Sequence, residues 1–336
     1  MRPGKLPPEM LAGMLARLPT GDPRVVVGPR VGEDAAVLDF GDRYLVAKTD
    51  PVTFAADLIG WYTVNVNAND IATMGAEPKW FMGTLLLPES HGEHEIAAIF
   101  DQLADACREV GVTAVGGHTE VTIGLDRPIM IGCMMGEVEK GKLVTSGGAR
   151  RGDAIILAGP IAVEGTALLA REAEGLLRYT GMAAAAVAQA KDLLFNPGIS
   201  VVAAARAAVH AGGVTALHDP TEGGLATGLL ELALASQVGL EIAADDIPVL
   251  ALTREVCAAL ALDAMGLIAS GSLLIAAQPD HADTIVQALE AAGKEAAIIG
   301  RATRREDGLA LLARGERVPL PQFDRDEIAR LFEEQA

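Results

Sequence analysis

The run from Asn65 to Ala76, NVNANDIATMGA, limits the possible folds of this chain more than any other stretch. Ile71 and Met74, the small Ala68, Ala72 and Gly75, and Val64 just before the run can all lie against a sheet. Asn65, Asn69 and Asp70 then share or adjoin one helical edge, because residues three to five apart occupy neighbouring positions. Asn and Asp inside a helix give up propensity, and something must offset that loss. A cation held by Asp70, with the asparagines satisfied by nearby backbone or by a ligand, is one explanation. A helix start with Asn and Asp as caps is the other.

Strand and helix signals alternate around this run. Residues 1–20 read as a short amphipathic helix with Leu11, Met14 and Leu15 on one side. VGEDAAVLDF and YLVAKTDPVTF read as strands paired around Gly41–Asp42. WFMGTLLLP follows as a buried strand, then HEIAAIFDQLADACREVG as a helix ended by Gly111. VTAVGGHTE reads as a strand running into a glycine turn, and RPIMIGCMMGEVE as another strand. This alternation indicates a mixed α/β sheet. The polar, glycine-rich GGARRGD at 147–153 marks a boundary, giving domains over 1–147 and 148–320 and a surface tail helix over 321–336. The second domain reads as DAIILAGPIAVEGTALLAREA, then Ala-rich helices broken at Asn196–Pro197–Gly198, then HDPTEGG opening a long helix, then two more strand–helix pairs. With 336 residues, half of them hydrophobic, each domain can bury its own core.

A net charge of −18 argues against an extended nucleic-acid surface, which needs clustered Lys and Arg. It is compatible with a phosphorylated ligand held through divalent cations and backbone N–H groups. Cys107, Cys133 and Cys257 fit neither a zinc spacing nor a disulfide framework, and the first two read as small core residues. The opening MRPGKLPPEMLAGML has no long apolar run, so it does not read as a signal peptide. The most apolar region, 257–277, is interrupted by Asp263, Gly266 and Gly271 and does not read as a membrane span. A cytoplasmic protein without nucleic-acid or membrane partners is expected.

Three acids in short motifs stand out: Asp34 in GEDAAV, Asp50 in KTDP after Lys48, and Asp70 in ANDIA. Magnesium takes a few carboxylates plus phosphate oxygens, a need that this set meets, although each Asp alone could cap a turn. VGGHTE presents His118, Thr119 and Glu120 after Gly116 and Gly117, whose backbone could approach a phosphate. His118 reads equally as a ligand or as a hydrogen-bonded structural histidine. In HDPTEGGLA, Asp219 and Thr221 precede an emerging helix, and an N-cap role is open there too. GEVEKGK has the spacing of a P-loop, but Leu143 stands where Ser or Thr is required, and His91 and His94 read as a solvated helix start.

Together, GEDAAV, KTDP, VNANDIATMGAEP, VGGHTE and HDPTEGGLA resemble the superfamily of aminoimidazole ribonucleotide (AIR) synthetase, selenophosphate synthetase, thiamine-monophosphate kinase and HypE. The similarity runs from about residue 25 to 310, in the family's motif order, and is closest to HypE-like members over 44–80. The resemblance implies a PurM-like two-domain fold. Its N-terminal domain joins a second subunit in an intersubunit β-barrel, so a homodimer is expected, and an α+β domain follows. It implies ATP and Mg2+ as cofactors in a cleft between domains. Asp34, Asp50 and Asp70 would bind the metal; Lys48, Asn69, Gly116, Gly117, Thr119, Asp219 and Thr221 would lie with the nucleotide; Asp70, His118 and Glu120 would act in catalysis. His118 stands where several relatives have Asp or Glu. HypE modifies its own C-terminal cysteine, whereas this sequence reads LFEEQA there, and the N-terminal reactive Cys of selenophosphate synthetase has no counterpart before Cys107.

The expected function is therefore a Mg2+-dependent, ATP-utilising enzyme that phosphorylates or activates an oxygen or amide of a separate substrate. A non-catalytic ATP-binding partner in a maturation complex is the alternative from another class. An inert structural dimer would leave the acidic motifs without a purpose.

Overall fold

A computed structural model describes residues 6, 8–52 and 57–333. Residues 1–5 and 7 of the expected first helix, 53–54 of the YLVAKTDPVTF strand and 334–336 of the last helix lie outside the described residues. The chain divides into two compact units, one made of Pro19–Pro29 and Asp34–Leu143. The other is made of Arg30–Glu33, the chain from Val144 onward, and the segment through Leu18 with helix α1 (Pro8–Leu15).

The first unit contains β1 (Val25–Val27), β2 (Ala36–Asp39), β3 (Arg43–Val52), α2 (Ile59–Thr73), β4 (Glu77–Leu87), α3 (Glu93–Val110), β5 (Thr113–Val121) and β6 (Ile129–Glu139). Its sheet runs β1-β2-β3-β6-β4-β5. β2 and β3 form the expected hairpin, with Ala36 opposite Ala47 and Asp39 opposite Tyr44. Along β6, Met130, Gly132, Met134, Gly136 and Val138 are buried while Ile129, Ile131, Cys133 and Met135 are half-buried, the period-two signature of a strand with unequal faces. α2 packs on the buried face and needs its glycines: a Cβ at Gly132 would stand 2.4 Å from Asn67 Nδ2, and one at Gly136 2.4 Å from Ile71 Cγ2. Val64, Ala68, Ile71, Ala72 and Met74 all turn inward, as the apolar pattern predicts.

The second unit contains β7 (Ala154–Ala158), α4 (Val163–Glu172), α5 (Glu174–Tyr179), α6 (Ala184–Asp192), α7 (Val202–Ala211), β8 (Val214–His218) and α8 (Gly224–Ser236). It continues with β9 (Gly239–Ala243), α9 (Ala251–Leu260), β10 (Leu273–Ala277), α10 (Ala282–Ala291), β11 (Ala296–Thr303), β12 (Leu309–Ala313), β13 (Glu316–Pro319) and α11 (Glu327–Glu333). The sheet order is β13-β12-β9-β11-β7-β10-β8. β7 and β10 are buried at every residue, which is why they read as unbroken apolar runs. The Ala-rich run 184–211, apolar enough by composition to cross a membrane, is divided into α6 and α7 by the non-helical Asn196.

Three expectations need correction. VGGHTE is not a glycine turn: Gly116 through Glu120 continue β5, parallel to β4, with Gly117 opposite Gly83. The glycine serves close strand packing there, since a Cβ on Gly117 would sit 2.3 Å from the Gly83 carbonyl oxygen. The tail helix is not a surface element, because Ile328, Ala329 and Leu331 of α11 are buried. β9 and α9 were not anticipated; each is short, and β9 is paired on both sides by β11 and β12, a context that no local pattern reveals.

Candidate functional site

The Asn-rich run lies in the body and last turns of α2, which begins at Ile59 behind Leu58 with no side-chain cap. This removes the cap reading. The polar side chains are satisfied largely by the helix itself. Thr63 Oγ1 donates to the Ile59 carbonyl at 2.7 Å and Asn65 Nδ2 to that of Trp61 at 3.0 Å. Asn67 Nδ2 donates to the Thr63 carbonyl at 2.9 Å and across to that of Asp50 at 3.3 Å. Asn67 thereby ties the Asp50 end of β3 to α2, a role the sequence reading missed although the residue stands within its chosen run. Asn69 is fully buried, and Thr73 Oγ1 donates to the Asp70 carbonyl at 2.8 Å.

Asp34, Asp50, Asp70 and Lys48 come together. Asp34 and Asp70, both buried, each offer a carboxylate oxygen within 4.8 Å of the other. Lys48 Nζ donates to Asp70 Oδ1 at 3.1 Å and lies 3.7 Å from Asp50 Oδ2. Burial alone would lower the Lys48 pKa, but the charges of Asp70, Asp50 and Asp34 outweigh it and raise the ammonium well above its ordinary value. Three carboxylates and one ammonium leave the group with excess negative charge. An all-oxygen donor set of this kind suits a hard cation such as Mg2+.

His118 and Glu120 lie elsewhere in the same sheet. β5 is three strands from β3, about 14 Å at the usual strand spacing. The two side chains point to one face of the strand, and His118 Nε2 is 3.1 Å from Glu120 Oε2, both well exposed. Beside them a cavity of 390 Å3 opens between the sheet and α3, lined by Phe81, Leu85, Phe100, Cys107, Gly116 and Thr119.

In the second unit, Asp219 and Thr221 follow β8 and lead into α8, as HDPTEGG predicted. Gly223 and Gly224 adopt φ of +80° and +66°, values only glycine takes without strain. His218 Nε2 stands 3.0 Å from Glu231 Oε2. The Gly223 N–H donates to Asp326 Oδ2 at 2.7 Å, a contact between residues 103 apart in sequence. Asp326 was not singled out from the sequence, and neither was Glu164, a lone acid in the apolar AGPIAVEGTALL. Burial pushes the Glu164 carboxyl up to about 8, with hydrogen bonds from Ser270 opposing and the charges of Glu222 and Asp326 adding to the rise. Burial likewise pushes Asp326 up to about 7.

Two family models cover most of the chain: the N-terminal domain of AIR synthase related protein over residues 32–138, and its C-terminal domain over 150–310. Carbamoyl dehydratase HypE of Cupriavidus necator is 32% identical over 289 residues, 83% of this chain and 78% of that protein. The crystal structure of HypE from Escherichia coli superposes with a TM-score of 0.76 at 25% identity, covering 96% of this chain and 99% of that one. A hydrogenase maturation protein HypE solved in complex with ATP gives a TM-score of 0.73 at 23% identity, over 95% of this chain and 91% of that one. The chain belongs to the AIR synthase-related protein family, has its PurM-like two-domain fold, and stands among the HypE-like members.

Proposed function

We propose that this protein is a Mg2+-dependent, ATP-utilising cytoplasmic enzyme that phosphorylates, or activates with ATP, an oxygen or amide group of a separate substrate. The observation that carries this reading is the convergence of Asp34, Asp50 and Asp70 on Lys48 inside one unit. These carboxylates would hold the metal, which neutralises phosphate charge and keeps the reacting groups in line. Lys48 and Asn69 are the nucleotide-side residues near this group, and the family resemblance extends that role to Gly116, Gly117 and Thr119 of β5. Asn67 keeps Asp50 in place through its backbone. Asp70 would orient the reacting group, and His118 and Glu120, 3.1 Å apart, would be the acid–base pair. The name of the C. necator relative makes ATP-driven dehydration of a carbamoyl amide the version to test before simple kinase chemistry.

A separate acceptor is favoured by the cysteines of the chain. Cys107 and Cys257 are buried in α3 and α9 and Cys133 is half-buried in β6, and burial pushes all three thiols up, that of Cys257 to about 12. None of the three is an activated thiolate. We assign the open sheet face and the exposed edge strand β5 of the first unit to a second copy of the chain. Val115, Val121 and Ile123 are 51%, 56% and 88% exposed there.

Titration with ATP, with and without Mg2+, on the wild type and Asp70→Asn tests the reading. Magnesium-dependent binding that the variant loses supports it, and screening of carbamoylated and hydroxyl acceptors for ADP release then identifies the reaction. A wild type that binds no ATP sinks it. Binding without turnover on any acceptor would favour the non-catalytic partner instead.

A further inference from the structure

Lys48 is a cation placed inside a donor set that suits a cation. Its Nζ is 3.1 Å from Asp70 Oδ1 and 3.7 Å from Asp50 Oδ2. The carboxylates around it are held. Asp70 projects from the packed α2, where Thr73 bonds its carbonyl, and Asn67 bonds the carbonyl of Asp50. Lys48 differs from them, since its charge rides on a flexible four-carbon stem that keeps its donors through a swing. A divalent ion bound to Asp70 Oδ1 at about 2.1 Å would stand no more than about 5 Å from Nζ in its present place. Two positive charges so close in a partly buried group repel strongly.

We propose that Lys48 is a built-in competitor of the divalent cation: it occupies the Asp34–Asp50–Asp70 group when no metal is bound, and turns to a phosphate oxygen when a metal–nucleotide complex arrives. The inference rests on the metal–nucleotide reading above and adds a selectivity to it. Free metal has to displace the ammonium into water and binds weakly. Metal arriving with an anionic phosphate gives the ammonium a new partner and binds well. Metal and nucleotide therefore favour each other, and the coupling is reciprocal by linkage. Free metal or free nucleotide alone would leave the group poorly occupied.

The test is calorimetric titration of the wild type, Lys48→Met and Lys48→Gln with Mn2+ alone, with the β,γ-methylene analogue of ATP alone, and with each at saturation of the other. In the wild type, saturating nucleotide should tighten Mn2+ binding by tenfold or more, a coupling of about 1.4 kcal/mol. In either variant Mn2+ alone should bind about tenfold more tightly, the nucleotide more weakly, and the coupling should shrink towards unity. Unchanged or weaker Mn2+ affinity in a variant that retains the wild-type circular dichroism spectrum overturns the proposal. The wild-type coupling needs no variant, and a value near unity overturns it as well. A metal–nucleotide coupling that both Lys48 variants keep at its wild-type size leaves the metal–nucleotide reading standing and removes this inference alone. One that binds neither removes both.

Discussion

Glu164 is an acid kept from water at the start of α4, 5% exposed, with its carboxyl near 8 instead of the ordinary 4.5. Between those values the folded protein keeps a proton there that the unfolded chain releases. The favourable contribution is complete below about pH 4.5 and is lost as pH rises through about 8. The effect is of the order of 2–4 kcal/mol. Glu164→Gln keeps the shape and removes the titration. Melting curves of the two proteins should nearly coincide at pH 5 and separate by roughly 5 °C at pH 8, with the variant higher; a wild type no less stable than the variant at pH 8 would contradict the assignment. Two neighbouring glycines give a second residue-scale prediction. A Cβ at Gly117 meets the Gly83 carbonyl oxygen at 2.3 Å, whereas one at Gly116 comes no nearer than 3.8 Å to Met82. Gly117→Ala should cost about 2 kcal/mol in denaturant unfolding and Gly116→Ala under about 1.

Among the elements, α2 and α11 show what a sequence reveals and what it hides. The inward face of α2 was legible because its apolar and small residues recur at helical spacing, and GEDAAV, KTDP and ANDIA were legible as a set of acids. The direction of the asparagines was not, because a back-bond to the carbonyl four residues earlier leaves no trace in composition. Gly116–Gly117 misled for a related reason: paired glycines mark a turn locally, and only the approach of β4 explains them inside a strand. α11 was placed correctly but read as a surface helix, since its polar sequence conceals how its acids are used. Asp326 caps α11 at the Ile328 N–H and bonds Gly223. Glu327 accepts from the Asp263 N–H, and Arg330 donates to the Ala261 carbonyl. Asp326→Ala leaves a buried N–H without its acceptor and should cost about 2 kcal/mol. Amide exchange at Gly223 and Gly224 should accelerate at least tenfold in this variant, while α10 exchanges as before; an unchanged rate at Gly223 would mean the loop holds itself.

At the scale of the whole molecule, the assignment of β5 to a second copy has a direct consequence. Val121→Glu puts a charge on the exposed edge of the first unit. Sedimentation should show a dimeric wild type and a largely monomeric variant of similar melting temperature; a monomeric wild type removes the assignment. The link from α11 to HDPTEGG has a consequence in time. Gly223 receives its acceptor from a residue 103 positions later. At synthesis rates of about 5–20 residues per second, the loop exists for roughly five to twenty seconds before Asp326 is made. Until then its left-handed glycines and the start of α8 have no fastening from that side. Strands β9 to β13 are themselves made during that interval, β13 only seven positions before Asp326, so the loop set by HDPTEGG is fastened only as the sheet of the second unit is completed.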